Sequence, residues 1–239
     1  MQSTLRSAAL LAGLGFYLGP LSFAAPQPES NSAKLTGRVV LGADVKSHGP
    51  SIVAWLTPVG KTPSLPAPPP GHFRLVQKNR TFTPHLLVIP VGSQVSFPNQ
   101  DPFFHNVFSL FNGRRFDLGL YEAGRSREVN FSREGVSYIF CNIHPEMSAV
   151  VIALATSLYS IADSTGNFTI HPVPPGTYEL HVWIEGTPQP DLDRLSRRIA
   201  LADGQSATLA IDASSAYRPL RNHLNMFGKP YPPESQQPY

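Results

Sequence analysis

Proline and glycine interrupt this chain so often that long helices are excluded. The chain has 25 Pro and 18 Gly among 239 residues. An interior Pro removes a backbone donor and clashes with the preceding helical turn, and Gly is costly inside any regular element. Between these breaks lie short runs rich in β-branched and aromatic residues. They fall at 35–41, 51–56, 73–77, 86–90, 94–97, 105–110, 127–131, 136–141 and 149–154. Short strands at such spacing, separated by turn residues, predict an all-β chain built as a β-sandwich.

A second β-rich unit follows. Asp163-Ser164-Thr165-Gly166-Asn167 reads as a turn, 168–171 as a strand and Pro174-Pro175-Gly176 as another turn. Residues 178–185 alternate: Tyr178, Leu180, Val182 and Ile184 face one way, Glu179, His181, Trp183 and Glu185 the other. The pattern places His181 toward solvent or at a contact between units. Runs at 197–201 and 206–211 flank Asp203-Gly204, a hairpin signal. The Pro-rich stretch 62–71 reads as an extended linker or surface loop. The last residues, 214–239, read as an irregular tail.

The first 24 residues read as a secretory signal peptide. Arg6 supplies the positive start and 8–23 the apolar run. Ser22-Phe23-Ala24 places small residues for cleavage after Ala24. The run is short and broken by Gly and Pro, so no stable membrane span is expected once it is removed. The mature protein is expected outside the cytoplasm, in a periplasm or secreted. The formal net charge is only +3, and the basic residues are scattered. A nucleic-acid binder carries a denser basic stripe, so nucleic acid is not an expected partner. There is one cysteine, Cys141, so no intramolecular disulfide can form. A lone thiol in an oxidising compartment is a liability unless it is buried or bound to something.

What surrounds that cysteine carries chemistry. Cys141-Asn142-Ile143-His144-Pro145-Glu146-Met147 is a C-x-x-H-x-x-M segment at the end of a β run, and His105-Asn106-Val107 lies on an earlier run. A thiolate, two imidazoles and a thioether form the ligand set of a type 1 (blue) copper site, trigonal His₂Cys with a weak axial Met. His105, Cys141, His144 and Met147 are therefore the candidate metal ligands, for one copper ion. Thiolate and thioether suit Cu(I), and imidazole suits both oxidation states. A tight loop containing Pro145 can fold His144 and Met147 back toward Cys141, with the next strand starting near Ala149. Phe97, Phe103, Phe104, Phe108 and Phe140 lie close by in sequence, and some of them are expected in an apolar shell. The alternative is that Cys141 and Met147 are ordinary core residues and the two His lie at the surface.

These residues resemble the cupredoxin family. The loop length, and Pro145 directly after His144, are most similar to the amicyanin type. Phe82-Thr83-Pro84, Val88-Ile89-Pro90-Val91-Gly92, Val95-Ser96-Phe97-Pro98-Asn99 and His105-Asn106-Val107 are similar to the plastocyanin-type opening. The resemblance covers about 72–157 and implies that Asn106 braces the copper loop. Ile143 departs from it, standing where the family often has Pro, and so does the long stretch 111–124. Asp163 to Phe168 (D-x-x-G-x-F) and Pro174 to Tyr178 (P-P-G-T-Y) resemble a carboxypeptidase regulatory-like, transthyretin-type β module. The two resemblances together imply a cupredoxin-type Greek-key sandwich at 72–157 and a smaller transthyretin-like sandwich at 158–213. Gly37-Arg38-Val39 fits the opening strand of the latter, so 34–60 belongs either to that module or to the copper domain.

The function expected is one-electron transfer with unknown redox partner proteins, His144 near the surface being the electron exit. The alternative is a copper-binding or copper-handling protein without a redox circuit. An enzyme is not expected. Coupled-copper enzymes place a His beside the Cys, whereas Phe140 and Asn142 flank Cys141 here, and a dinuclear centre needs a second Cys. His48, His72, His85, His171, His181 and His223 show no close ligand spacing for a second metal.

Overall fold

The computed structural model describes residues 32–42, 49–62, 65–110, 113–217 and 224–231. The signal-peptide reading of 1–24, His48 and His223 lie outside the described residues.

Two strands come first, β1 (Ala33–Val40) and β2 (Ile52–Pro58). Ten follow: β3 (His72–Arg74), β4 (Val76–Lys78), β5 (Thr81–Thr83), β6 (Leu86–Pro90), β7 (Gln94–Pro98), β8 (His105–Ser109), β9 (Phe116–Tyr121), β10 (Ser126–Asn130), β11 (Gly135–Phe140) and β12 (Ser148–Leu154). The rest are β13 (Tyr159–Ile161), β14 (Asn167–Val173), β15 (Gly176–Ile184), the helix α1 (Gln189–Leu195), β16 (Arg197–Leu201) and β17 (Ser206–Asp212). The all-β class holds, with one short helix among the described residues. No helix there is long and apolar enough to cross a membrane.

The strands pair into two sandwiches. The first has sheets β14-β1-β17 and β13-β2-β15-β16. The second has sheets β10-β7-β3 and β6-β12-β11-β8-β9, with the small β4-β5 ribbon. Both N-terminal strands pair with the late ones: β1 with β14 and β17, and β2 with β13 and β15. In chain order, β3 to β12 are therefore inserted between β2 and β13. Close packing helps select the first strand's partner. A Cβ on Gly37 would run into the Phe168 ring of β14.

Strand β12 explains how the sandwiches join. Alternate side chains of a strand point to opposite faces. Ala149, Val151 and Ala153 enter the second core, with Val95, Phe97, Val107 and Ile139. Val150, Ile152 and Leu154 enter the first, with Leu56, Leu180 and Trp183. Residues 149–154 are consequently all buried, and the sequence reads as an unbroken apolar run. Each buried Val, Leu or Ile contributes roughly 1.5–3 kcal/mol. The same contact explains β15. Tyr178, Leu180, Val182 and Ile184 are buried as the alternation predicts, but Trp183 and Glu185 are buried as well. Trp183 packs on Tyr138 of β11, ring centroids 6.3 Å apart.

Two expectations need correction, and one departure from the resemblance gains a structure. The Asp203-Gly204 turn does not make a hairpin. It closes tightly, Gln205 N–H donating to the Ala202 carbonyl at 3.1 Å. Yet β16 pairs with β15, and β17 crosses to the other sheet to pair in parallel with β1. That ladder runs Lys34–Val40, longer than the five-residue β16 could offer. The run expected at 73–77 is two strands, broken at the fully buried Leu75. The stretch 111–124 contains a strand, β9, at the edge of the sheet beside β8.

Candidate metal centre

Three side chains converge at one end of the second sandwich. His105 opens β8, Cys141 follows the last residue of β11, and His144 sits in the turn before β12. The loop folds back on itself. Cys141 N–H donates to the Met147 carbonyl at 3.2 Å, and Met147 N–H to the His144 carbonyl at 3.1 Å. These bonds return the chain so that Ser148 opens β12 opposite Phe140. Cys141, His105, Met147 and His144 are all buried, with 0%, 0%, 0% and 1% exposure.

His105, Cys141 and His144 form a group able to hold a metal ion. The two Nδ1 atoms are 3.1 Å apart. Cys141 Sγ lies 3.7 Å from Nδ1 of His105 and 3.5 Å from Nδ1 of His144. A point equidistant from the three atoms is about 2 Å from each, close to a metal–imidazole bond length. The donor chemistry, two nitrogens and one soft sulfur, fits copper. Met147 is buried at the foot of the loop and closes it through its backbone.

The surroundings orient the imidazoles. Asp101 Oδ2 is 2.8 Å from Nε2 of His105, which leaves Nδ1 facing the group. A carboxylate behind a ligating His is a common device for fixing its tautomer and raising its basicity. Asp101 is in turn held by the backbone N–H groups of Asn79 at 2.6 Å and Arg80 at 3.0 Å. Both of those residues have φ of 54°. The Phe103 ring packs against both imidazoles, with centroids 5.2 Å from His105 and 5.5 Å from His144. Arg80 lies over its face.

Burial sets the protonation states. It lowers both imidazole pKa values, His144 to about 4 with help from the neighbouring His105, while Asp101 partly offsets the fall at His105. Burial also pushes the Cys141 thiol up, against hydrogen bonds from the backbone N–H groups of Asn106, Ile143 and His144. Near neutral pH the imidazoles are neutral, with lone pairs free for a metal, and a metal must displace the thiol proton. Ile143 contributes an N–H that a Pro at that position could not.

Two expectations change here. His144 is not a surface residue: its ring is sealed in, with Phe103 against it. The Asn106 side chain does not brace the loop. Its Nδ2 donates to Asp117 Oδ1 on β9 at 2.7 Å, and only its backbone reaches Cys141. Of the nearby aromatic residues, Phe103 lies against the imidazoles and Phe97 in the core beneath, while Phe104 is 41% exposed. Of the remaining described histidines, His85 meets Glu185 at 2.7 Å, and His181 stacks on Trp55 and bonds Thr57 at 2.9 Å. Asp101 was not legible as a partner of His105, because no periodic pattern links a loop residue to a strand start four positions on.

No family model and no curated protein matches the chain. Solved structures do. A purple cupredoxin from Nitrosopumilus maritimus is 27% identical over 34% of this chain and 98% of that one, with a TM-score of 0.31. A Cu-containing nitrite reductase from Thermus scotoductus SA-01 is 23% identical over 42% of this chain and 26% of its own, TM-score 0.34. A reduced Cu(I) form of an amicyanin variant is 18% identical over 34% of this chain and 81% of that one, TM-score 0.33. Each is a similarity of part of this chain, and the chemistry of the centre is read from its own three donors.

Proposed function

We propose that this chain is an exported type 1 (blue) copper protein that transfers single electrons, its copper held by His105, Cys141, His144 and Met147. The observation that carries the reading is the buried triangle of two imidazole nitrogens and one thiol sulfur. Copper bound there would supply a Cu(I)/Cu(II) couple. The chain's own residues do the rest. Asp101 orients His105, Phe103 keeps water from both imidazoles, and the short loop holds Cys141 and His144 together in either oxidation state. Met147 would offer the copper a fourth, weaker donor through its thioether, on its place in the loop and its burial. Phe140 and Asn142 beside Cys141 offer no imidazole to wire a second copper, which supports a carrier rather than an enzyme. We read strands 34–60 and the segment 158–213 as one regulatory-like module. The cupredoxin-type copper domain, 72–157, is inserted into it, a reading supported by the pairing of β1 and β2 with the late strands.

The test is the optical and EPR spectrum of the copper-loaded mature protein. Intense thiolate-to-copper absorption is expected, abolished by Cys141→Ser. A pale type 2 spectrum would sink the assignment. A second reading, copper handling without a redox circuit, is favoured by one observation: His144 is 1% exposed and offers no bare edge to a partner. Electron self-exchange separates the two. Fast exchange supports the carrier; slow exchange with a large change of coordination between oxidation states supports handling. Export is tested by sequencing the mature N-terminus, expected at Ala25.

A further inference from the structure

The C-terminal segment 224–231 is tied to the ligand loop at two points, although it lies far along the chain. Tyr231 Oη donates to the Cys141 carbonyl at 2.6 Å. Met226 N–H donates to Oδ1 of Asn142 at 2.9 Å. The two acceptors sit on the same short piece of backbone, the peptide that leaves Cys141 and the side chain that follows it.

The segment is itself folded, so these bonds are not casual contacts of a loose end. Asn225 Oδ1 accepts the N–H groups of Phe227 and Lys229, each at 3.0 Å. Asn225 N–H donates to the Lys229 carbonyl at 2.9 Å, and Gly228 N–H to the Asn225 carbonyl at 2.9 Å. Gly228 supplies the φ of 71° that this turn requires. The turn thereby presents Met226 N–H and the Tyr231 hydroxyl to the loop together.

Within the loop, the closing bonds use the Cys141 N–H and the Met147 N–H and carbonyl. They leave the Cys141 carbonyl for an outside donor. That carbonyl reports the tilt of the Cys141–Asn142 peptide, and the tilt is coupled to the direction in which the Cys141 side chain leaves the backbone. A metal–thiolate bond is sensitive to that direction. A bond anchored on a separate segment restrains the tilt in a way the short loop cannot do alone.

We infer that Tyr231 is a positioning residue for the metal site: its hydroxyl holds the Cys141–Asn142 peptide from outside the loop, and so sets the aim of Cys141 Sγ. The inference rests on the copper reading given above. Tyr231 touches neither metal nor partner in this role; it acts through Cys141. Segment 224–231 is thus part of the centre rather than an appendage.

Tyr231→Phe keeps the ring and removes the donor. In the metal-free full-length protein, amide exchange at residues 142–147 is expected to quicken about fivefold, the loss of one ordinary hydrogen bond, while β1 and β2 stay unchanged. In the copper-loaded protein, the thiolate-to-copper band and the copper hyperfine splitting are expected to shift. Asn225→Ala loosens the turn without altering Tyr231 or the loop, and the same local changes are expected in weaker form. Unchanged loop exchange in both variants, equal acceleration throughout the chain, or spectra superimposable on the wild type would each overturn the inference. A wild-type chain that stays colourless with copper is a different failure, that of the copper reading, and the metal-free exchange result remains independent of it.

Discussion

The two sandwiches share a sheet face but are filled differently. The first is built around Leu35, Leu56, Leu180 and Ile211. Its buried polar residues Glu185 and Thr187 lie just past the end of β15, where it borders the second. The second buries Gln77, Asn99, Asp101, His105, Asn106 and His144, most of them toward one end. Buried polar groups lower stability unless each finds a partner. Here most do, and the arrangement aims two imidazole nitrogens and a thiol at one point. The lesson is a division of labour. The first sandwich holds strands β1 and β2 to the late strands, and the second gives up apolar packing to make a site.

The largest test of that division is metal itself. Copper at a thousand times its dissociation constant is expected to stabilise the second sandwich by about 4 kcal/mol, read as a rise in thermal midpoint. Cys141→Ser should remove that rise. A rise that survives the substitution would place the metal elsewhere.

Next comes the apolar half. Leu180→Ala empties a fully buried position in the first core and is expected to cost roughly 2–5 kcal/mol in denaturant unfolding. The copper spectrum should stay the same. A changed spectrum would mean that the two sandwiches are not separable in function.

Asp101→Asn acts on the site alone. The ring of His105 loses the carboxylate at its Nε2, and copper(II) affinity is expected to fall about tenfold to a hundredfold by competition titration. Folding stability of the metal-free chain should change far less.

The smallest effect lies at the border. His85, next to β6, pairs with Glu185. The hydrogen bond to Glu185 raises the His85 pKa above 6.5, so its contribution is full below that value and is lost as pH rises through the higher folded value. Burial pushes the Glu185 carboxyl up, but bonds from His85 and Ser51 outweigh it and leave the pKa below 4.5. Its contribution is full above 4.5 and is lost as pH falls through the lower folded value. The pair therefore holds the two halves best between about pH 4.5 and 6.5. Half-exposure of His85 limits it to less than about 1 kcal/mol. Glu185→Gln should flatten that shallow pH dependence, and an unchanged profile would remove the pin.

Much of this was legible in the residues. Period-two runs located most strands, because a half-buried strand must alternate. The three donors that converge were all singled out from the sequence, since C-x-x-H keeps two of them within one turn and His105 begins a β run. The strands β5, β9 and β13 were not found: β5 and β13 are only three residues long, and Asp117 and Gly119 interrupt the apolar pattern of the edge strand β9. The Asp203-Gly204 turn was misread because turn chemistry is local, whereas the choice between a hairpin and a crossing depends on which edge is open. Asp101 and Tyr231 were out of reach for the same reason: each meets its partner through space.

The sequence by itself determined the all-β class, since Pro and Gly leave no room for long helices, and it determined which donor types stand near the single cysteine. Only the tertiary structure decided that β1 and β2 close the first sandwich around the inserted second one. It also decided that His144 is sealed from solvent and that Tyr231 meets the Cys141 carbonyl. Those outcomes follow from burial and from edge-to-edge pairing between distant segments, which local pattern does not encode.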